Sequence, residues 1–156
     1  MFSKATEYAL RATIYIAQHS SRDQKLSIQQ ISEAIDSPTH FTAKIMQSLS
    51  GNNNLVCSVR GPGGGFYITE TGKHQPVYTI LKLMGEEKEL EKCVLGLRLC
   101  SETQPCPMHH EYKSIKSQLV QLFRNTTIEQ LAEAGHLGDY QVYFRIEGPG
   151  KYDQDK

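Results

Sequence analysis

Ser58-Val59-Arg60-Gly61-Pro62-Gly63-Gly64-Gly65-Phe66 is the stretch whose reading decides the fold. A strand pattern, Leu55 to Val59, runs into it, and a second, Phe66 to Ile68, leaves it. Between them, four of the six residues from Arg60 to Gly65 are glycine, well beyond what a hairpin turn needs. Glycine permits positive φ and lets a backbone approach another surface closely. An arginine at the tip of such a hairpin can reach a phosphate or a narrow minor groove. A loop without a partner is the plainer reading of the same run.

The residues upstream favour the first reading. Ala5, Tyr8, Ala9, Ala12 and Ile16 repeat at helical spacing, which predicts a helix over 2–19. A second helix starts at Ser27, where Ser27 and Gln30 match a capping box and Leu26 can staple onto Ile31. Its buried stripe is Ile28, Ile31 and Ile35. Asp36-Ser37-Pro38 reads as a break and a restart, with Ser37 as N-cap and Pro38 at the first helical position. The third helix runs to about Ser50 with Phe41, Ile45 and Leu49 inward. Two short helices joined by a tight turn expose one face of the second. Here that face carries His40, Lys44 and Gln47, with Thr39 and Thr42 at its margin, and a helix so presented fits the DNA major groove. Capped amphipathic pairs are common, so the helices alone describe plain packing equally well. The glycine–arginine hairpin tips the balance toward DNA.

Downstream, Val77, Ile80, Leu81 and Met84 predict a helix over 75–84, with Gly85 as its C-terminal stop. A cysteine-bearing segment broken by Pro105 and Pro107 follows. A longer helix from His109 to about Asn125 places Tyr112, Ile115, Leu119 and Leu122 on one stripe, with Phe123 beside it. A last helix begins at Thr126, with Thr126 and Glu129 as a second capping box. Residues 138–156 lack any period and read as a flexible tail. The expected fold is mainly α with a small β-hairpin wing. It divides into a winged helix-turn-helix domain (1–84), a cysteine-rich loop (85–108), a helical segment (109–137) and the tail.

Composition bounds the possible partners. The 156 residues carry 17 basic and 17 acidic side chains, a formal net charge of zero. This argues against a nonspecific DNA coat but not against a site-specific binder, for which the placement of charge matters. From Pro38 to His74 the only acid is Glu70, against Lys44, Arg60 and Lys73; Glu86, Glu87, Glu89 and Glu91 then turn the chain acidic. No run approaches the roughly 20 apolar residues of a membrane span, and the start of the chain lacks a signal-peptide pattern. A cytoplasmic protein is expected.

The wing run Ser58 to Phe66 resembles the signature of the IscR/NsrR-type (Rrf2) winged-helix transcriptional regulators. Glu7-Tyr8-Ala9-Leu10-Arg11 and the three-cysteine segment resemble the same family, and the likeness covers roughly residues 1–137. It implies a homodimer on a palindromic double-stranded DNA operator, with the long helix as interface through Tyr112, Ile115, Leu119, Leu122 and Phe123. It implies base contacts from Thr39, His40, Thr42 and Lys44, and a wing contact by Arg60 flanked by Ser58, Gly61, Gly63 and Gly64. Some members carry an iron–sulfur cluster and sense iron–sulfur status, nitric oxide or redox state; others have none. Ala43 stands where the iron–sulfur regulator has a glutamate in its recognition helix, and the loop at Gly51–Asn54 is one residue longer. The operator sequence therefore does not transfer.

Cys57 stands alone, whereas Cys93, Cys100 and Cys106 lie within fourteen residues. In a cytosolic chain such a cluster is more often metal-binding or redox-active than a disulfide framework. Paired C-x-x-C knuckles, the usual zinc signature, are absent. Long irregular spacing suits a loop wrapped around a larger group held by thiolates. Three thiolates leave one position short, and His109 stands where the iron–sulfur regulator supplies a histidine. A 2Fe–2S cluster on Cys93, Cys100, Cys106 and His109 is the expected cofactor, with 4Fe–4S as the alternative. Glu7 of the partner subunit is a rival fourth ligand, by likeness to the family's nitric-oxide sensor. A bare thiol switch stays open, and Cys57 reads as a small buried hydrophobe. A thiol enzyme would need a base and an oxyanion site; Cys106 has His109 near it in sequence but no cleft or substrate motif, so no enzyme is expected.

Overall fold

In the computed structural model, which describes residues 1–51 and 55–134, the chain packs around helix α1 (Lys4–His19). The Ser3 side chain caps it by accepting the Thr6 N–H. Its buried face is Thr6, Ala9, Ala12, Thr13, Ile16 and Ala17, mostly small side chains that let neighbouring helices approach closely. The buried Thr13 hydroxyl donates to the Ala9 carbonyl at 2.8 Å, so its burial leaves no unmet hydrogen bond. Helices α2 (Ile28–Ala34), α3 (Thr39–Leu49), α5 (Tyr78–Leu83) and α7 (Ile128–Ala134) all rest on this post.

Helix α2 opens with the expected capping box: Ser27 and Gln30 exchange side-chain and backbone bonds at 3.1 and 2.9 Å. Asp36 takes a left-handed conformation (φ 53°) in the turn to α3, which a short polar side chain tolerates. The start of α3 differs from expectation. Pro38 is extended (ψ 134°), so the helix begins at Thr39 and has no side-chain cap. Ser37 instead faces Thr42, whose hydroxyl lies 3.1 Å from both the Ser37 hydroxyl and the Pro38 carbonyl. The inner face of α3 is Thr42, Ile45, Met46 and Leu49. Phe41 lies partly buried at its edge, in a T-shaped contact with Tyr8 at 5.8 Å.

Strands β1 (Cys57–Val59) and β2 (Gly65–Tyr67) form an antiparallel hairpin with Cys57 opposite Tyr67 and Val59 opposite Gly65. They are shorter than the apolar pattern suggests, because Leu55, Val56 and Ile68 drop into the core at its base. Leu26 bonds both ways to Phe66, at 2.9 and 2.8 Å, and anchors the hairpin to the start of α2. Cys57 is half-exposed, not buried. It sits on the ladder with its thiol toward Tyr67, and hydrogen bonding to that thiol pushes the Tyr67 hydroxyl pKa up.

The helix expected at 75–84 is shorter, starting at Tyr78, and a separate short helix precedes it. Helix α4 (Glu70–Lys73) is capped by Thr69, and α5 follows after Pro76, which lacks an N–H and biases its predecessor away from helix. Gly85 (φ 72°) closes α5 as expected: its N–H bonds Lys82 and that of Glu86 bonds Leu81, a Schellman pair. A short 3-10 turn (Glu87–Glu91) leads into the cysteine loop, and α6 (His109–Asn125) has the expected bounds. The cap of α7 is one residue later than expected: Thr127 and Gln130 form the box, not Thr126 and Glu129. Thr126 is instead held by backbone bonding to Val77. Positions 52–54 and the expected tail at 138–156, with 135–137 before it, lie outside the described residues. Among the described residues no helix is long and apolar enough to cross a membrane.

Gly72 of α4 packs tightly against the base of the hairpin. A Cβ there would stand 2.7 Å from the Leu55 carbonyl oxygen and 2.8 Å from Ile68 Cγ1. Gly72→Ala is therefore expected to destabilise the fold by about 1–3 kcal/mol, despite alanine's better helix propensity. Urea unfolding measures this; an unchanged or higher midpoint would show that the contact relaxes freely.

Candidate nucleic-acid interface and cysteine–histidine site

Because Thr42, Ile45, Met46 and Leu49 fix the inner side of α3, the opposite side faces solvent, and Thr39, His40, Lys44 and Gln47 are exposed. Thr39 keeps its hydroxyl 3.2 Å from that of Ser32. Thr42 does not belong to this face. It is fully buried with its hydroxyl engaged by Ser37 and the Pro38 carbonyl, so the expectation that it reads bases is corrected: its position in the helix turns it inward with Ile45, Met46 and Leu49.

At the hairpin tip Ser58, Arg60, Gly61 and Gly63 are exposed, and Arg60 has no ion-pair partner among the described residues. The glycines divide by role. A Cβ on Gly64 would stand 2.3 Å from the Val59 carbonyl oxygen, and one on Gly65 would stand 2.7 Å from that of Leu26. Those two are required by the hairpin's own packing. Gly61 and Gly63 take positive φ with open space around them, which leaves the tip backbone approachable. Sequence reasoning missed Lys25, whose ammonium lies 5.9 Å from the centre of the Tyr67 ring on β2. The pairing of Leu26 with Phe66 brings it to the wing, and no spacing rule in the sequence announces that.

The second site forms where the cysteine loop folds against the start of α6. Its four expected ligands come together as two pairs. Cys93 Sγ and Cys106 Sγ are 3.8 Å apart, and Cys100 Sγ is 3.3 Å from His109 Nδ1. His109 is the one buried residue of α6. Its Nε2 has no hydrogen-bond partner among the described residues, although Glu102 Oε1 stands 3.4 Å away off the hydrogen-bond line. Glu102 is held in turn by Lys113 at 2.5 Å; that bond, with His109, keeps its carboxyl below the usual range. Backbone N–H groups of Leu95 and Leu97 point at Cys93 and lower its thiol pKa, aided by the charge of Lys116. Lys116 Nζ also lies 3.1 Å from Cys100 Sγ and donates to the Glu91 carbonyl. Sequence reasoning missed Glu102, Lys113 and Lys116. The last two follow His109 by four and seven residues, a helical spacing that places them on one face. An open cleft of about 790 Å³ separates this loop from α6, with Cys93, Cys100, Lys113 and Lys116 in its wall.

Glu7 is salt-bridged within its own helix to Lys4 at 2.9 Å and Arg11 at 3.8 Å, and the Lys4 bond lowers its pKa. The expected interface stripe on α6 is left uncovered: Ile115 and Leu122 are each 59% exposed, and Tyr112, Leu119 and Phe123 are half-buried. Phe123 meets Phe2 edge-on at 5.6 Å.

The family described as Rrf2, "Iron-dependent Transcriptional regulator", matches residues 2–134. The chain belongs to the Rrf2 family. It is 35% identical over 133 residues to an HTH-type transcriptional regulator of Aquifex aeolicus, covering 84% of this chain and 90% of that protein. It is 25% identical over 124 residues to the HTH-type transcriptional regulator IscR of Pectobacterium atrosepticum, covering 80% and 74%. Among solved structures it resembles CymR, the global cysteine regulator of B. subtilis, with a TM-score of 0.67 and 19% identity over 86% of this chain and 97% of that one. T. potens IscR gives a TM-score of 0.64 and 17% identity, covering 86% and 88%. These two establish the winged-helix fold, and the family makes this Rrf2 protein a helix-turn-helix transcriptional regulator.

The 3.8 Å separation of Cys93 and Cys106 needs only a small loop movement to reach the roughly 2.05 Å of a disulfide. Chelator-treated protein oxidised with diamide should yield a Cys93–Cys106 cross-linked peptide by mass spectrometry. A dominant link to Cys57 or Cys100 would show that the loop does not keep these two sulfurs as neighbours.

Proposed function

We propose that this Rrf2 protein binds a palindromic operator as a homodimer, and that an iron–sulfur cluster on Cys93, Cys100, Cys106 and His109 controls that binding. The observation that carries the reading is the pairwise gathering of three thiols and a buried imidazole on the loop that leads into α6.

The donor set fits such a cluster. A two-iron group takes two protein ligands per iron, and the four residues already stand as two pairs. His109 turns Nδ1 toward the thiols and Nε2 toward Glu102. In metal sites the free ring N–H commonly faces a carboxylate in this way, which fixes tautomer and orientation. The amides of Leu95 and Leu97 and the charge of Lys116 favour the thiolate of Cys93 over its thiol, the form that binds metal. When bound, the cluster supplies iron that responds to redox change or nitric oxide. The chain's own part is mechanical. The loop carries three ligands and α6 carries the fourth in its first turn, so holding all four fixes the loop against the helix. Glu7 of the partner subunit, the rival ligand, would first have to leave Lys4 and Arg11.

On the DNA side, the exposed His40 and Lys44, with Thr39 at the helix start, are suited to the major groove. Arg60, between Ser58 and the open glycines Gly61 and Gly63, is suited to the phosphate backbone or minor groove. Gly64 shapes the tip. The uncovered stripe of Tyr112, Ile115, Leu119 and Leu122 supports pairing of two α6 helices, with Phe123 at its margin. Half-sites about one duplex turn apart make both contacts sensitive to the relative placement of the two protomers. Control then requires that the cluster-bound and cluster-free states differ in how well they present the two α3 helices.

Two measurements test this. Duplexes selected from a random library should bind anaerobically reconstituted protein and its cluster-stripped form with affinities at least about fivefold apart at fixed salt; equal affinities would remove the control step. Arg60→Ala should lose about tenfold or more across all duplexes alike and shallow the salt dependence, with the dimer intact by light scattering. Unchanged affinity in a stable dimer would overturn the wing assignment.

A further inference from the structure

We infer that Glu70, His74 and Glu129 form a binding site for a divalent transition-metal ion, separate from the cysteine loop, that ties α7 to α4. One donor atom from each lies within 4.8 Å of the other two. His74 Nε2 and Glu129 Oε2 are already 3.4 Å apart, which is about the spacing of two donors on an ion at roughly 2.1 Å from each. Glu70 is exposed at the start of α4, and a change of rotamer brings its carboxylate the remaining distance.

Three features make this more than a chance meeting of surface charges. First, His74 Nδ1 stands 2.6 Å from the Glu70 carbonyl oxygen. In the neutral ring that bond places the proton on Nδ1 and leaves the Nε2 lone pair toward Glu129, the second-neighbour arrangement typical of metal-binding histidines. Second, two acceptors facing each other at 3.4 Å call for a cation between them. A proton on Nε2 or a metal ion between the two atoms meets that need. Third, the scaffold is fixed. Val77 N–H bonds the Thr126 carbonyl at 2.9 Å and Ile128 N–H bonds the Gln75 carbonyl at 3.0 Å, so a backbone clamp holds Glu129 opposite His74. Lys73 engages one oxygen of Glu70 at 3.1 Å and leaves the other available. One imidazole with two carboxylates suits ions such as Mn²⁺, Fe²⁺ and Zn²⁺ better than the oxygen-only preference of Ca²⁺ or Mg²⁺. This inference does not depend on the cluster or on DNA binding.

Mn²⁺ is the probe, because thiolates favour softer ions and the cysteine loop then stays out of the measurement. The full chain is titrated with Mn²⁺ while the free-ion signal is followed by electron paramagnetic resonance. Wild type and a Cys100→Ala control should each take up one ion per chain. His74→Gln and Glu129→Gln, which alter an exposed and a half-buried side chain without changing their size much, should bind at least about tenfold more weakly with unchanged circular dichroism. Mn²⁺ should also raise the Tm of wild type and leave that of Glu129→Gln where it was. No uptake by wild type would overturn the site and leave a protonated His74 paired with Glu129. Uptake that survives His74→Gln, or is lost in Cys100→Ala, would overturn it as well.

Discussion

The rest of the structure depends on the close approach that α1 allows along its small-residue face. Ala9, Ala12 and Ala17 present little side chain, so α2, α3, α5 and α7 can pack on one helix of sixteen residues. Interiors packed at crystal-like density tolerate little change of volume. The orientation of α3 follows from this. With Ile45, Met46 and Leu49 committed to the post, His40 and Lys44 have no direction but outward. The wing is tied to the same frame, since the Leu26–Phe66 bonds fix β2 against the segment that starts α2. The helix and hairpin that face a duplex on the proposed reading are therefore not independent appendages. A shift of α1 would move both.

Helix α6 obeys a different rule. A helix of this length is marginal by itself in water, and of its seventeen residues only His109 is buried. Its two faces have separate tasks. Lys113 and Lys116 continue the face of His109 toward the cysteine loop, while Ile115, Leu119 and Leu122 line the other side. Covering two side chains as large and exposed as Ile115 and Leu122 would contribute about 1.5–3 kcal/mol each at full burial, which a second copy of the helix can supply. One face of α6 thus belongs to the proposed sensor and the other to the proposed interface. A rigid helix joins them, so no longer relay is needed to connect ligand geometry with the placement of two protomers.

Much of this was legible because it rests on local chemistry. The α2 capping box, the Gly85 stop and the bounds of α6 are set by neighbours a few residues away, and a sequence shows those directly. The misreadings lie where distant contacts decide. Thr42 reads as a marginal surface residue, yet the fold buries it on the inner face of α3. Helix α5 starts later than expected because Gln75 and Val77, on either side of Pro76, pair with Ile128 and Thr126, some fifty residues on. Thr126 made a plausible cap, yet backbone pairing moved the box to Thr127. The cysteines and His109 could be named from spacing and family likeness. Their arrangement as two pairs, with Glu102 and Lys116 around them, is a property of a folded loop that no spacing encodes. The glycine run was half understood, since Gly64 and Gly65 answer to the hairpin itself and only Gly61 and Gly63 leave the tip open.

Charge placement shows how a neutral chain can still suit a polyanion. The candidate contacts are few: Lys44 on α3, Arg60 at the tip, and Lys25 beside the wing. The acids cluster elsewhere, with Glu86 bonded to Ser3 and Glu89 paired with Lys92 in the turn before the cysteine loop. Binding that rests on a handful of cations releases few counterions per protomer. Its attraction to arbitrary DNA is correspondingly weak, and doubling the contacts in a symmetric pair matters more than it would for a strongly basic protein. On the proposed reading this makes the chain unusually dependent on the geometry of the pair. With little nonspecific affinity to fall back on, a small misplacement of one α3 relative to the other removes most of the binding at once. A neutral surface is therefore the condition under which a loop of three cysteines and a histidine could act as a switch and not as a mild modulator.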